Sequence, residues 1–132
     1  MSKFSHPKIF HDFLVIYKRY YHIHKHLPKI FRVTIGEYIM DELSQCMKII
    51  VIINLKKDIE DYKESVKLLK NLKTRIEILK IYFLIAWDMH FVSHQFFAEI
   101  NDRLEEVGRE ASSWKNWFEE YLISLKGSDG QI

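Results

Sequence analysis

From Phe97 to Leu125 apolar side chains recur at alternating steps of three and four: Phe97, Ile100, Leu104, Val107, Ala111, Trp114, Phe118, Tyr121 and Leu125. This spacing lines one side of an α-helix and sustains a coiled-coil-like seam, with a left-handed supercoil. A rod of that length buries its stripe only against other rods. The chain has 132 residues, enough for one domain and too few for two. Four glycines and two prolines leave few tight turns, which argues for long helices with few connections and against a sheet. A hydrophobic fraction of 48% excludes a disordered chain, and an aromatic fraction of 14% supplies a large core payload.

Three further helices follow from the same periodicity. The first runs from about Pro7, suited to a first helical position, to His26, and Pro28 ends it. Its stripe is Phe10, Phe13, Tyr17 and Tyr20, with a second row at Ile9, Ile16 and Ile23. The second helix opens on Thr34 and Glu37, the T-x-x-E pattern of a capping box. Its buried face is Ile35, Ile39, Leu43, Cys46, Ile50 and Ile53. The β-branched run from Ile49 to Ile53 continues this stripe and so reads as helix rather than strand. The third helix runs from about Asp58 to His90, with Asp58, Glu60 and Asp61 complementing the dipole of its first turn. Its stripe is Ile59, Tyr62, Val66, Leu69, Leu72, Ile76, Leu79, Phe83 and Ala86. The fourth runs from about His94, N-capped by Ser93, to Leu125, and Gly127 ends it.

The expected fold is all-α. Residues 1–126 form an antiparallel up-down-up-down four-helix bundle, and residues 127–132 a flexible tail. The connections Leu27–Val33 and Phe91–Ser93 then share one end, and the link near Lys56 lies at the other. Beyond Ile76 the third helix turns apolar on other faces, through Ile78, Ile81, Tyr82, Leu84, Ile85 and Trp87. A helix apolar nearly all round is buried nearly all round, so these residues are the expected contact between copies of the chain.

Charge is uneven although the net is only +2. No acidic residue lies between Phe13 and Gly36, while Lys18, Arg19, Lys25, Lys29 and Arg32 do, with His22, His24 and His26 among them. Two readings fit. One is an anion-binding end that holds phosphates. The other is a solvated helix terminus whose cations complement the dipole. Lys73 and Lys80 belong to a second basic stretch, which also holds Lys63, Lys67, Lys70 and Arg75. His22 and His26 have the i, i+4 spacing of a two-histidine metal site, but no carboxylate or thiolate completes it and the paired Glu-x-x-His signature is missing, so no metal and no cofactor are expected. No nucleophile elbow, P-loop or dinucleotide fingerprint is present, and an enzyme has no residue constellation behind it. Cys46 lies on an apolar stripe and reads as a small core residue. With no secretory signal and no apolar stretch long enough to span a bilayer, the sequence reads as cytoplasmic.

Two segments resemble a known family. Residues 28–37, PKIFRVTIGE, resemble the signature P-K-x-x-R-[FV]-T-L-G at the start of a second helix. Leu104-Glu105-Glu106-Val107-Gly108-Arg109, followed by Trp114, resembles L-E-E-[IV]-G-R-x-x-x-x-W in a fourth. Both signatures belong to four-helix-bundle proteins that include the accessory variability determinant of diversity-generating retroelements and the proteins encoded in intervening sequences of 23S rRNA genes. Gly36 and Gly108 each read as a place for close approach. The resemblance implies a non-enzymatic barrel of five bundles that binds the retroelement reverse transcriptase and its template RNA, possession of DNA-binding capacity being left open, and supports mutagenic cDNA synthesis. Lys18, Arg19, Lys25, Lys29, Arg32, Lys73 and Lys80 are the expected nucleic-acid or partner contacts. The family often carries two basic residues four apart on its third helix. Lys80 matches the first, and Leu84 stands at the second. That departure keeps an alternative open: a stand-alone bundle of the intervening-sequence type, an interaction protein without a reverse transcriptase.

Overall fold

The computed structural model describes residues 7–56 and 58–130, with side chains through 127. The described residues hold no strand and form α1 (Lys8–His24), α2 (Lys29–Arg32), α3 (Ile35–Leu55), α4 (Ile59–Asp88) and α5 (His94–Gly130). Since α2 is a single turn, four long helices carry the fold, as in a helical bundle. The α1 helix packs on α3 and α5, and α4 packs on the same two. None of the helices is long and apolar enough to cross a membrane.

The sequence periodicity explains this arrangement. The core takes Ile9, Phe13, Ile16 and Tyr20 from α1, and Ile39, Leu43, Cys46, Ile50 and Ile53 from α3. It takes Leu69, Leu72, Ile76, Leu79, Phe83 and Ala86 from α4, and Ile100, Leu104, Val107, Ala111 and Phe118 from α5. Each such Leu, Ile or Phe contributes ~1.5–3 kcal/mol by leaving water. Contacts between helices show the register. Along α4, Tyr62, Lys80 and Trp87 meet Phe118, Glu105 and Phe97 of α5. Lys8 and Arg19 of α1 meet Glu110 and Glu99 of α5, and Glu42 and Tyr38 of α3 meet Arg75 and Tyr82 of α4.

Several expectations need correction. The first helix ends at His24 rather than His26, although the His26 and Leu27 amides still donate to the Ile23 and His24 carbonyls. The connection expected at Leu27–Val33 contains the turn α2. That turn removes the capping box: Thr34 lies two residues past the end of α2, and its hydroxyl donates to the Ile30 carbonyl at 2.6 Å and the Phe31 carbonyl at 3.3 Å. It therefore satisfies the end of α2 and makes no side-chain cap on α3. The seam of α5 opens after Phe118, where Tyr121 is 38% exposed. Helical backbone also runs through Gly127 to Gly130, and only residues 131–132 of the expected tail lie outside the described residues.

The Ser93 cap is present: its hydroxyl accepts the Phe96 amide at 3.0 Å. Just before it, α4 ends in a Schellman turn. His90 takes the left-handed conformation at φ 65°, and the Phe91 and His90 amides donate to the Ala86 and Trp87 carbonyls. Phe91 then packs on Phe31, with ring centroids 4.7 Å apart, and so ties α2 to this end of the bundle.

The two glycines of the family-like motifs differ. A Cβ on Gly36 would lie 2.9 Å from the Tyr20 hydroxyl, 3.0 Å from His24 Cε1 and 3.0 Å from the Phe31 carbonyl oxygen. A Cβ on Gly108 would meet nothing within 4 Å, so the expected close approach is absent there within one chain. Gly36→Ala is therefore expected to destabilise by about 1–3 kcal/mol through overpacking. Gly108→Ala is expected to stabilise by about 0.5–1 kcal/mol through helix propensity. Thermal denaturation of the two variants checks this, and a more stable Gly36→Ala protein contradicts it.

Candidate functional site

The expected contact residues fall into two groups. Lys18, Arg19, Lys25, Lys29 and Arg32 lie on the second half of α1, the turn after it and α2. Lys73 and Lys80 lie on α4, facing a groove shared with Glu105 and Arg109 of α5. From Lys73 to the end of α4 at Asp88 is roughly 20 Å along the helix axis. One compact surface does not hold all seven.

Two of the seven are engaged within the chain. Arg19 donates through Nε and Nη2 to the two oxygens of Glu99, at 2.9 and 2.7 Å, and its guanidinium stands over the Phe96 ring at 5.5 Å. The hydrogen bond from Arg19 is the main cause that holds the Glu99 carboxyl below its usual range. Lys80 donates to Glu105 at 2.5 Å and pairs with Glu77 at 2.8 Å. Burial opposes its charge, yet these partners raise its pKa. By contrast Lys18, Lys25, Lys29 and Lys73 make no ion pair or side-chain hydrogen bond among the described residues. Lys18, Lys25 and Lys29 are exposed, whereas Arg32 is half-buried. The Arg32 Nε is buried with no acceptor.

Arg32 lines a recess of about 390 Å³ with His24, Lys29, Val33, Glu37 and Met40. The close approach at Gly36 builds one wall. Tyr20 is fully buried and packs edge-on against Phe83, and its hydroxyl pairs with His24 Nδ1 at 2.9 Å. Burial pushes the Tyr20 phenol up, so it stays protonated. Burial and then the Arg32 charge lower the pKa of His24. Sequence reasoning placed Lys29 and Arg32 on this end but missed Tyr20, Glu37 and Met40 as their surroundings. The one local signal was the i, i+4 spacing of Tyr20 and His24.

The other candidate groups sit apart. His22 and His26 are exposed, and α1 has ended before His26. Asp12, Glu106 and Glu110 converge instead, with ligand atoms within 4.8 Å of one another. Lys8 is their cation, at 2.8 Å from Asp12, 2.6 Å from Glu110 and 3.8 Å from Glu106. Burial and the neighbouring Asp12 raise the Glu110 pKa. Cys46 is fully buried, and burial pushes its thiol up to about 12, which leaves it unreactive.

The expected contact face on α4 divides likewise. Ile81 and Leu84 are exposed at 54% and 42%. Ile78 and Ile85 are half-buried. Tyr82 packs near Tyr38, and Trp87 stacks on Phe97 at 4.8 Å within the same chain.

His24 gives the site a pH signature. The unfolded chain protonates this residue near its ordinary value of 6.5, and the folded chain only at lower pH. In that interval the unfolded state binds more protons, so the stability His24 contributes is whole above pH 6.5 and lost as pH falls through the folded value. His24→Gln is expected to flatten this part of the pH dependence in thermal unfolding between pH 7 and 5. An unchanged profile contradicts the assignment. No family model, curated protein or solved structure matches the chain.

Proposed function

We propose that the protein is a non-enzymatic scaffold that binds RNA at the α1–α2 end of its bundle and assembles with copies of itself. The resemblance noted above makes it an accessory variability determinant of a diversity-generating retroelement, acting beside a reverse transcriptase. The observation that carries the RNA reading is that Lys18, Lys25, Lys29 and Arg32 have no ion-pair partner among the described residues. A solvated helix end accounts for Lys25, close to the last turn of α1. It does not account for Arg32, whose buried Nε has no acceptor among the described residues. The Arg32 side chain also lines a recess with Lys29, where a phosphate oxygen would suit its guanidinium.

The register of contacts and the short connections support an up-down-up-down order. Ile78, Ile81, Leu84 and Ile85 support self-association, because they put an apolar stripe on the outer side of a helix already packed on two others. A ring of five copies rests on the resemblance alone. Lys80 and Arg19 favour the second reading, a stand-alone bundle of the intervening-sequence type, since both are spent on glutamates of α5. Leu84, exposed where the family often has a basic residue, favours it too. A reverse-transcriptase gene and a near-repeat pair beside the coding sequence separate the two readings.

Single-stranded RNA is expected to bind with an affinity that falls as salt rises, with a log–log slope of about −3 for four phosphate contacts. Lys25→Glu/Lys29→Glu/Arg32→Glu is expected to abolish binding with helical circular dichroism retained. Fluorescence anisotropy across a sodium chloride series checks both, and salt-independent affinity refutes the role. Light scattering tests the assembly. The protein is expected at a multiple of its 16.0 kDa chain mass, and Ile81→Glu/Leu84→Glu at the chain mass itself. A monomeric parent protein contradicts the scaffold.

A further inference from the structure

We infer that the recess between α2 and the start of α3 is a phosphomonoester site, which takes the terminal phosphate of an RNA end or of a free nucleotide through Lys29, Arg32 and His24. This rests on the RNA reading above and narrows it, from phosphates along a strand to one phosphate at an end.

The first ground is shape. The recess holds about 390 Å³, within the ~300–1,000 Å³ range of small-ligand sites. A diester is strung along a strand and suits an open groove, whereas a terminal phosphate can enter a recess end-on. Val33 and Met40 give the lining an apolar side against which a sugar or base can rest.

The second ground is the hydrogen-bond account. Buried donors find acceptors in folded proteins, and an unmet one costs about 1–3 kcal/mol, more when charged. Arg32 Nε is such a donor, and the half-buried guanidinium must turn toward the recess that it lines for a ligand oxygen to reach that atom. Its guanidinium fork fits two oxygens of one phosphate, and the unpaired Lys29 stands on the same rim.

The third ground is charge. The titratable groups that line the recess with His24 or pair with it are Tyr20 from α1, Lys29 and Arg32 from α2, and Glu37 from α3, while Lys25 and His26, next along the chain, are exposed. Lys29 and Arg32 against Glu37 leave one net positive charge. A proton on His24 makes it two, the match for a dianionic monoester, where a diester carries one. In the tautomer whose Nδ1–H donates to the Tyr20 oxygen, Nε2 holds the lone pair that takes that proton. Binding of the dianion and protonation of His24 are then linked, and the protein takes up a proton as the ligand enters.

Isothermal titration with inorganic phosphate, with AMP, and with one RNA oligomer bearing either a 5′-phosphate or a 5′-hydroxyl tests this. Phosphate and AMP are expected to bind. Arg32→Gln is expected to weaken AMP by about tenfold or more, the effect of one charge-assisted hydrogen bond. The exposed Lys29→Ala is a second variant with the same expected direction, and Lys18→Ala, outside the recess, leaves AMP binding unchanged. Repeating the AMP titration in buffers of different ionisation enthalpy is expected to reveal proton uptake that His24→Gln removes. Preference for the 5′-phosphorylated oligomer identifies the RNA end as the source, and AMP binding without that preference identifies the free nucleotide. No binding of phosphate or AMP, or full affinity in Arg32→Gln and Lys29→Ala, overturns the site. Salt-dependent binding of the 5′-hydroxyl oligomer reports on the RNA reading alone, so either idea can fail without the other.

Discussion

The geometry of the basic end depends on the contact between Tyr20 and Gly36. Tyr20 is the largest side chain that the core buries completely, and it stands between α3 and α4. Its ring packs on Phe83 of α4, and its hydroxyl pairs with His24 one turn on. Its oxygen also occupies the space that a side chain at the first turn of α3 would need. Only glycine lets α3 start there. The same missing Cβ makes room for the Phe31 carbonyl, so α2 packs close against the first turn of α3. Phe31 and Phe91 close the arrangement from the α4–α5 side. Lys29 and Arg32 are thus carried on a four-residue helix that would not hold its place alone.

Ion pairs set register here more than they supply stability. Glu42–Arg75, Arg19–Glu99, Lys8–Glu110 and Lys80–Glu105 tie three of the four helix contacts, all at or near the surface. Exposed pairs are worth about 0–1 kcal/mol each, far less than the buried stripes. Their value is discriminatory. Sliding one helix past its neighbour by a turn would set each charge beside the wrong residue. This division explains why a basic count along the chain overstates what is available to a ligand. Arg19 and Lys80 are assigned to glutamates of α5, whereas Lys18, Lys25, Lys29 and Arg32 belong to a stretch of chain, Phe13 to Gly36, that holds no acidic residue.

Most of the fold was legible because helices advertise their buried side at a fixed period. Ile76, Phe83, Leu104 and Ala111 could be assigned to the core from spacing alone. What spacing could not convey was competition between local signals. Thr34 and Glu37 spell a capping box, but Ile30 and Phe31 present nearby carbonyls, and the Thr34 hydroxyl bonds to those. Four residues are too few to show a period, so α2 left no trace of its own. Pairing across helices is likewise invisible in one dimension: nothing near Lys80 in sequence marks Glu105 as its partner. The recess suffers most from this, since His24, Arg32 and Met40 lie on three separate helices. Lys29 and Arg32 were legible as charge, but the Arg32 donor without an acceptor becomes visible only when burial is known.

Unequal helix lengths connect the basic end to assembly. The α5 helix has 37 residues and α1 only 17, so about 55 Å of rod lies beside about 25 Å. Where α1 falls short, Trp117 and Tyr121 stack on each other beside Tyr62 and stay partly in water. At the other end of α4, Ile81 and Leu84 are also wet. Two unlike apolar surfaces at opposite ends suit a head-to-tail contact, the kind that closes into a ring when the rotation permits. Ile81 and Leu84 lie toward the end of α4 that Phe91 ties to α2. In a head-to-tail contact the Lys29 and Arg32 of one copy would therefore come beside the Trp117–Tyr121 end of the next, not beside its basic end. The basic ends of successive copies would stay apart, so repulsion between their cations, screened over about 10 Å at 0.1 M salt, would not oppose such an assembly.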